Sequence, residues 1–211
     1  MTDNTDLWQI ERELTEQGMG IICGCDEAGA GPLAGPVYAA AVILPLCCRI
    51  EGLNDSKKLT EKKREALYQV ITQKAVCWAV AWVEASEIDA TDILSARMKA
   101  MQQAIDALDI RPEVVLIDGN RDKGRSAAIT TPHKLVVGGD GKSASIAAAS
   151  ILAKVSRDRF VSRELDARYP EYRFAMHKGY GTKLHYQMLD AYGPCPEHRR
   201  SFLKKWEEKR T

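Results

Sequence analysis

The sequence has no C-x-x-C pair, no two histidines at the i, i+4 spacing of helical zinc ligands, and no apolar run long enough to cross a membrane. The first two absences exclude the common zinc frameworks and a thioredoxin-like redox motif. "GGDGKS" lacks the leading glycine of a phosphate-binding P-loop, because Val136 stands where that glycine belongs. There is almost no net charge, +1 formally, so any surface for nucleic acid is local rather than global. There is no internal repeat, low-complexity segment or flexible linker. The opening stretch, "MTDNTDLWQIERELTEQG", carries acids and no apolar core, so it is not expected to act as a signal peptide.

What is present is a globular composition. The 211 residues are 45% hydrophobic and 28% charged, enough for one large domain or a domain with a small appendage. Of the six cysteines (Cys23, Cys25, Cys47, Cys48, Cys77 and Cys195), Cys23 and Cys77 fall inside apolar runs. They read as free thiols, and the chain as a cytoplasmic protein.

Five stretches read as strands: "MGIICGCD", "PVYAAAVILP", "VCWAVAWVEA", "PEVVLIDG" and "HKLVVGGD". Helices are expected over 7–17 and from a cap at Thr60 through "EKKREALYQVITQKA". Two longer ones are expected over the whole of "ASEIDATDILSARMKAMQQAIDALDI" and "GKSASIAAASILAKVSRDRFVSRELDARYP". The first two strands are joined tightly enough for an antiparallel hairpin. Later strands alternate with helices. The pattern predicts an α/β fold, a mixed sheet of five strands covered by helices on both faces. Residues 171–211, richer in charge and aromatics, read as a helical C-terminal extension packed on a sheet domain of residues 1–170.

The chemistry sits at strand ends. "GCDEAGAGPLAGPV" puts Asp26 and Glu27 at the end of the first apolar run, with Gly24, Gly29, Gly31 and Gly35 around them. Adjacent acids there repel each other unless a cation intervenes. Asp118 ends the fourth strand, and Asp140 lies between the fifth strand and the long helix. Taken singly, Asp118 reads as a turn residue and Asp140 as a helix cap. Neighbouring parallel strands lie about 5 Å apart, so Asp26 and Asp118 could share a cation if the first and fourth strands are neighbours. Successive side chains alternate faces, so Glu27 points away from Asp26 unless the backbone bends. Four carboxylates without a cysteine or histidine partner favour Mn2+ or Mg2+ and hydrolysis or transfer at phosphorus.

The motifs "DEAGAGPLAGPV", "LNDSKKL", "LIDGN", "SASIAAASILAKVSRD", "HKGYGT" and "HRRSF" occur in the order found in bacterial ribonuclease HII, which the chain resembles from about Ile21 to Phe202. The resemblance implies a ribonuclease H-like fold. It implies cleavage of RNA in RNA–DNA hybrids and incision 5′ of single ribonucleotides in duplex DNA, leaving 5′-phosphate and 3′-hydroxyl ends, in support of ribonucleotide removal. It implies that Asp26, Glu27, Asp118 and Asp140 are both catalytic and metal-binding, with two cations. The family's Gly-Arg-Gly segment, which reads the junction, matches Gly29, Ala30 and Gly31, and its aromatic partner matches Tyr180. Alanine at position 30 removes a cation and a planar set of donors, so weaker substrate binding with retained chemistry is expected. The main-chain N–H and C=O groups of Gly29 to Gly31 are expected to contact a ribose 2′-OH.

Lys57 and Lys58, in a polar loop, are expected to contact phosphate, whereas Lys62 to Arg64 read as a solvated helix face. Arg121, Lys123, Arg125, Lys142, Lys178, Lys183 and the run His198-Arg199-Arg200 are further candidate grips. Tyr180, between glycines, reads as a stacking platform rather than a core tyrosine. Ser143, Ser145 and Ser150 read as packing residues, and the four histidines as scattered. A monomer is expected. The rival readings are a nucleic-acid-binding protein that has lost cleavage and a general metal-dependent DNA nuclease.

Overall fold

β1 (Ile22–Ala28) and β2 (Val37–Ile43) form the expected antiparallel hairpin, with Asp26 opposite Ala40. β3 (Cys77–Val83) pairs antiparallel with the outer edge of β2. On the other side of β1, β4 (Val114–Asp118) runs parallel to it, and β5 (His133–Val136) runs parallel to β4. The result is a mixed five-stranded sheet of order β3-β2-β1-β4-β5. The first and fourth strands are therefore neighbours. This computed structural model describes residues 6–54, 56, 59–119, 124, 128–208 and 210.

Alternation along β1 assigns its two faces. Cys23 and Cys25 pack with Met98 and Met101 of α4 (Ile93–Asp106) on one face. On the other, Ala148, Ala149 and Leu152 of α5 (Ala144–Arg159) pack with Ala28, Ala40 and Val42. The small side chains of α5 let it lie close. Gly24 completes that approach: a Cβ there would stand 2.1 Å from the carbonyl carbon of Ser145. Gly24 thus serves the contact between helix and sheet rather than the bend around the acids.

α1 (Gln9–Glu16) and α2 (Glu61–Lys74) lie where expected, and Thr60 caps α2 by accepting the N–H of Lys63 at 3.3 Å. Three expectations are corrected. The helix expected over 85–110 is two helices, α3 (Ala85–Ala90) and α4. Asp92 breaks it, because its side chain accepts the N–H groups of Leu94 and Ser95 and so caps a new helix. β1 continues through Asp26 and Glu27 to Ala28, so the acids lie within the strand, not beyond it. The long helix starts at the Ser143 cap, widens into a π-helical stretch over Phe160–Leu165, and ends in α6 (Asp166–Arg168).

The C-terminal helices are α7 (Phe174–His177), α8 (Lys183–Tyr192) and α9 (Arg200–Glu207). They join the loop between β1 and β2. Leu33 packs with Leu189 and Leu203, Ala34 forms a bridge with His198, and the N–H of Leu33 donates to Gly179 O at 2.8 Å. Among the described residues no helix is long and apolar enough to cross a membrane.

Candidate active site

β1 and β4 bring Asp26 and Asp118 together because they are parallel neighbours, and the turn after β5 adds Asp140 from Gly139–Gly141. One carboxylate oxygen from each of the three lies within 4.8 Å of the others. Asp26 and Asp140 are buried, and Asp118 is half-buried. The Gly139 N–H donates to Asp118 Oδ1 at 2.6 Å, tying the end of β4 to the turn that carries Asp140. Asp140 is not the cap of α5. Ser143 fills that role, accepting the Ile146 N–H at 3.2 Å.

Burial pushes the Asp26 carboxyl well above the usual carboxylate range, and the charges of Glu27 and Asp118 add to the effect. A hydrogen bond from Ser150 opposes it. Ser150 Oγ lies 2.7 Å from Ser56 Oγ, so this serine belongs to the site and not only to the packing of α5. Carboxylates so placed call for positive charge, and an all-oxygen donor set suits a hard divalent cation.

Glu27 is not in that group. Its position on β1 turns it to the α4 face, where Oε1 pairs with Arg97 Nη2 at 2.7 Å. Burial raises its pKa, while Arg97 pulls it down. Glu27 still lines the same cavity, of about 210 Å³, together with Asp26, Asp118, Ala30, Ser150 and Tyr180. Arg97 is a site residue that the sequence did not announce.

Two buried arginines fix the wall of the cavity. Arg199 donates to Gly29 O at 2.7 Å, to Ala30 O at 3.1 Å and twice to Gly35 O, at 3.0 and 2.8 Å. Arg157 donates to Pro36 O at 3.0 Å and to Ala34 O and Lys178 O, both at 3.1 Å. Gly29 has φ +93°, and a Cβ there would stand 2.1 Å from Arg157 Nε. Two expectations change. His198 and Arg199 are buried, so neither grips substrate from the surface. The carbonyls of Gly29 and Ala30 already accept from Arg199, which leaves the N–H groups as the segment's readier contacts.

Tyr180 stands at the mouth with 40% of its surface exposed, as a stacking platform needs. Lys154 Nζ and Arg157 Cζ lie 5.5 and 5.8 Å from its ring centre. Lys62 and Lys63 are exposed on α2, but Arg64 turns inward and donates to Ser56 O and Leu59 O at 3.0 and 2.6 Å. Lys57, Lys58, Arg121, Lys123 and Arg125 lie outside the described residues.

Three of the four histidines converge behind Tyr180, contrary to the scatter read from the sequence. The rings of His177 and His185 stack with centres 4.2 Å apart, and His185 Nε2 lies 2.9 Å from His198 Nε2. The hydrogen bonds fix the tautomers. His198 Nδ1 accepts the Cys195 N–H at 3.0 Å, so its proton is on Nε2 and goes to His185 Nε2. His185 then donates from Nδ1 to Tyr180 O at 2.9 Å. His177 accepts the Gly179 N–H on Nδ1 and donates from Nε2 to Tyr172 O. Every ring is satisfied only when neutral. Burial accordingly lowers all three pKa values, to about 4 for His185 and about 3 for His198.

A histidine with a lowered folded pKa contributes stability above its unfolded value of about 6.5 and loses it as pH falls toward the folded value. The expected loss therefore begins near pH 6.5 and continues toward pH 4 and below, at up to ~1.4 kcal/mol per pH unit for each histidine. In an NMR titration the ring signals of His185 and His198 should stay fixed from pH 8 to 5. A mid-point near 6.5 for either would contradict the tautomer assignment.

The family profile of ribonuclease HII matches residues 23–207. A ribonuclease HII of Caldicellulosiruptor saccharolyticus is 50% identical over 199 residues, covering 94% of this chain and 95% of the relative. One from Idiomarina loihiensis is 54% identical over 182 residues, covering 86% of this chain and 95% of the relative. Among solved structures, ribonuclease H2 from Pyrococcus horikoshii superposes with TM-score 0.74 at 27% identity, covering 90% of this chain and 98% of that one.

Proposed function

The chain belongs to the ribonuclease HII family, and from that membership and the carboxylate cluster we propose that it is a divalent-metal endonuclease acting on RNA–DNA hybrids and on single ribonucleotides embedded in duplex DNA. Cleavage falls 5′ of the ribonucleotide and leaves 5′-phosphate and 3′-hydroxyl ends. The observation that carries this reading is the convergence of Asp26, Asp118 and Asp140, two of which, Asp26 and Asp118, line the cavity.

The residues fit Mn2+ or Mg2+. Asp26, Asp118 and Asp140 would hold the cations, with Glu27 adding an oxygen from the opposite face. Bound there, two such cations supply an activated water and stabilise the leaving oxygen. The chain's own groups do the rest. Ser150 orients Asp26. The Gly29–Ala30–Gly31 segment, fixed by Arg199, presents its N–H groups to a ribose 2′-OH. Tyr180 offers a ring face for stacking on base or sugar. Lys57 and Lys58 contact phosphate. With alanine at position 30 the segment binds through its backbone alone, so the grip is weaker than an arginine would give.

The test uses three labelled duplexes: one with a single ribonucleotide, one continuous hybrid and one of DNA alone. The first two should be cut with Mn2+ and left whole with a chelator, and the third should stay whole. Cutting of the third would make the protein a general DNA nuclease. Binding without cutting would make it a nucleic-acid-binding protein that has lost cleavage.

A further inference from the structure

Arg97 is an unusual residue for its position. It lies on α4, whose neighbouring buried residues Ala96, Met98, Ala100 and Met101 are apolar and pack on the sheet. Its guanidinium reaches past them to Glu27 at the rim of the cavity. The pairing is incomplete on both sides. Glu27 Oε2 and Arg97 Nε are both buried, and neither has a hydrogen-bond partner among the described residues. An orphaned buried acceptor next to an orphaned donor is costly. A bidentate fork would have satisfied both. The carboxylate is held through one oxygen, and the other is left without a partner.

We propose that Arg97 is a positioning residue that competes with a divalent cation for Glu27, so that the three aspartates load first and the Glu27 side of the site loads second and more weakly. The inference rests on the metal-site reading above. Two features favour competition over simple charge balance. The aspartate cluster is already within reach of a single cation without Glu27. Glu27 is tied to a side chain from the opposite face of the sheet, so any shift toward Asp118 must be made against that ion pair. Removing the guanidinium also deletes the positive charge paired with Glu27, which would favour a cation on the Glu27 side of a partly buried site.

The experiment is calorimetric titration of the metal-free protein with Mn2+, for wild type, Arg97→Met and Arg97→Lys, with Asp118→Asn as control. Wild type should show a stronger and a weaker event. Arg97→Met should tighten the weaker event by at least about fivefold and leave the stronger one nearly unchanged. It should also melt lower in chelator and gain more in melting temperature from Mn2+ than wild type does. Arg97→Lys, which keeps the charge but not the planar fork, should fall between the two, and it decides the matter should Arg97→Met not fold. A residue that only balanced a buried carboxylate would lower the melting temperature and leave the Mn2+ isotherm where it was. That outcome, or weaker Mn2+ binding in Arg97→Met, overturns the proposal. If wild type binds no Mn2+, or Asp118→Asn binds it unchanged, the metal-site reading itself fails.

Discussion

Asp118→Asn should cut a ribonucleotide-containing duplex more slowly than wild type by on the order of 10³-fold or more, while melting at the same temperature in chelator or slightly higher. The loss compares with that for removing a preorganised electrostatic group from a reacting centre. An amide nitrogen cannot stand in for an anionic oxygen toward a hard cation. The fold should persist because the amide keeps an oxygen, which can still accept the Gly139 N–H that Asp118 Oδ1 now holds at 2.6 Å. Without metal, the substitution also removes the charge of Asp118 that works against the buried Asp26 carboxylate. The checks are cleavage rate in saturating Mn2+ and thermal unfolding with chelator. Wild-type cleavage by the variant would remove Asp118 from the site.

Arg199→Met should cost roughly 3–5 kcal/mol, because it leaves the buried carbonyls of Gly29, Ala30 and Gly35 without their donors. For a chain of this size that lowers the melting temperature by on the order of 10 °C. Burial draws the Arg199 pKa down to about 9, with Arg157 adding like-charge repulsion, so the group is still charged at neutral pH. Its charge is dispersed over carbonyl dipoles, which a methionine cannot engage. The segment beside Asp26 should loosen, and substrate affinity should fall further than catalysis at saturation. Unfolding followed by circular dichroism and KM against kcat measure the two effects. A melting temperature within about 2 °C of wild type would show that these bonds add little.

Much of this was legible in the chain because it was local. Apolar runs located all five strands, and the acids at their ends pointed to one rim of the sheet. Thr60 marked a helix start by its side-chain chemistry alone. What could not be read depended on contacts between distant segments. Nothing in the sequence singled out Arg97, since its partner Glu27 is on a strand about 70 positions earlier. Arg199 read as a candidate grip on substrate, and nothing in the neighbours of Arg157 or Arg199 reveals that main-chain carbonyls will surround them. His177, His185 and His198 share no helical spacing, so only the folded C-terminal region brings their rings together. Asp92 was missed for the opposite reason: a local cap broke a periodic pattern that otherwise ran on.

The contact at Gly24 bears on which ions the site can take. Where a helix rests on bare backbone, no side-chain rotamers lie between to yield, so the separation of the two elements is stiff. Ser150 and Asp26 therefore face each other across a gap set by the main chain. A divalent cation held by Asp26 would rest against that stiff floor, and any adjustment to its size would fall to the opposite wall, where Glu27 is held by one oxygen on a long side chain.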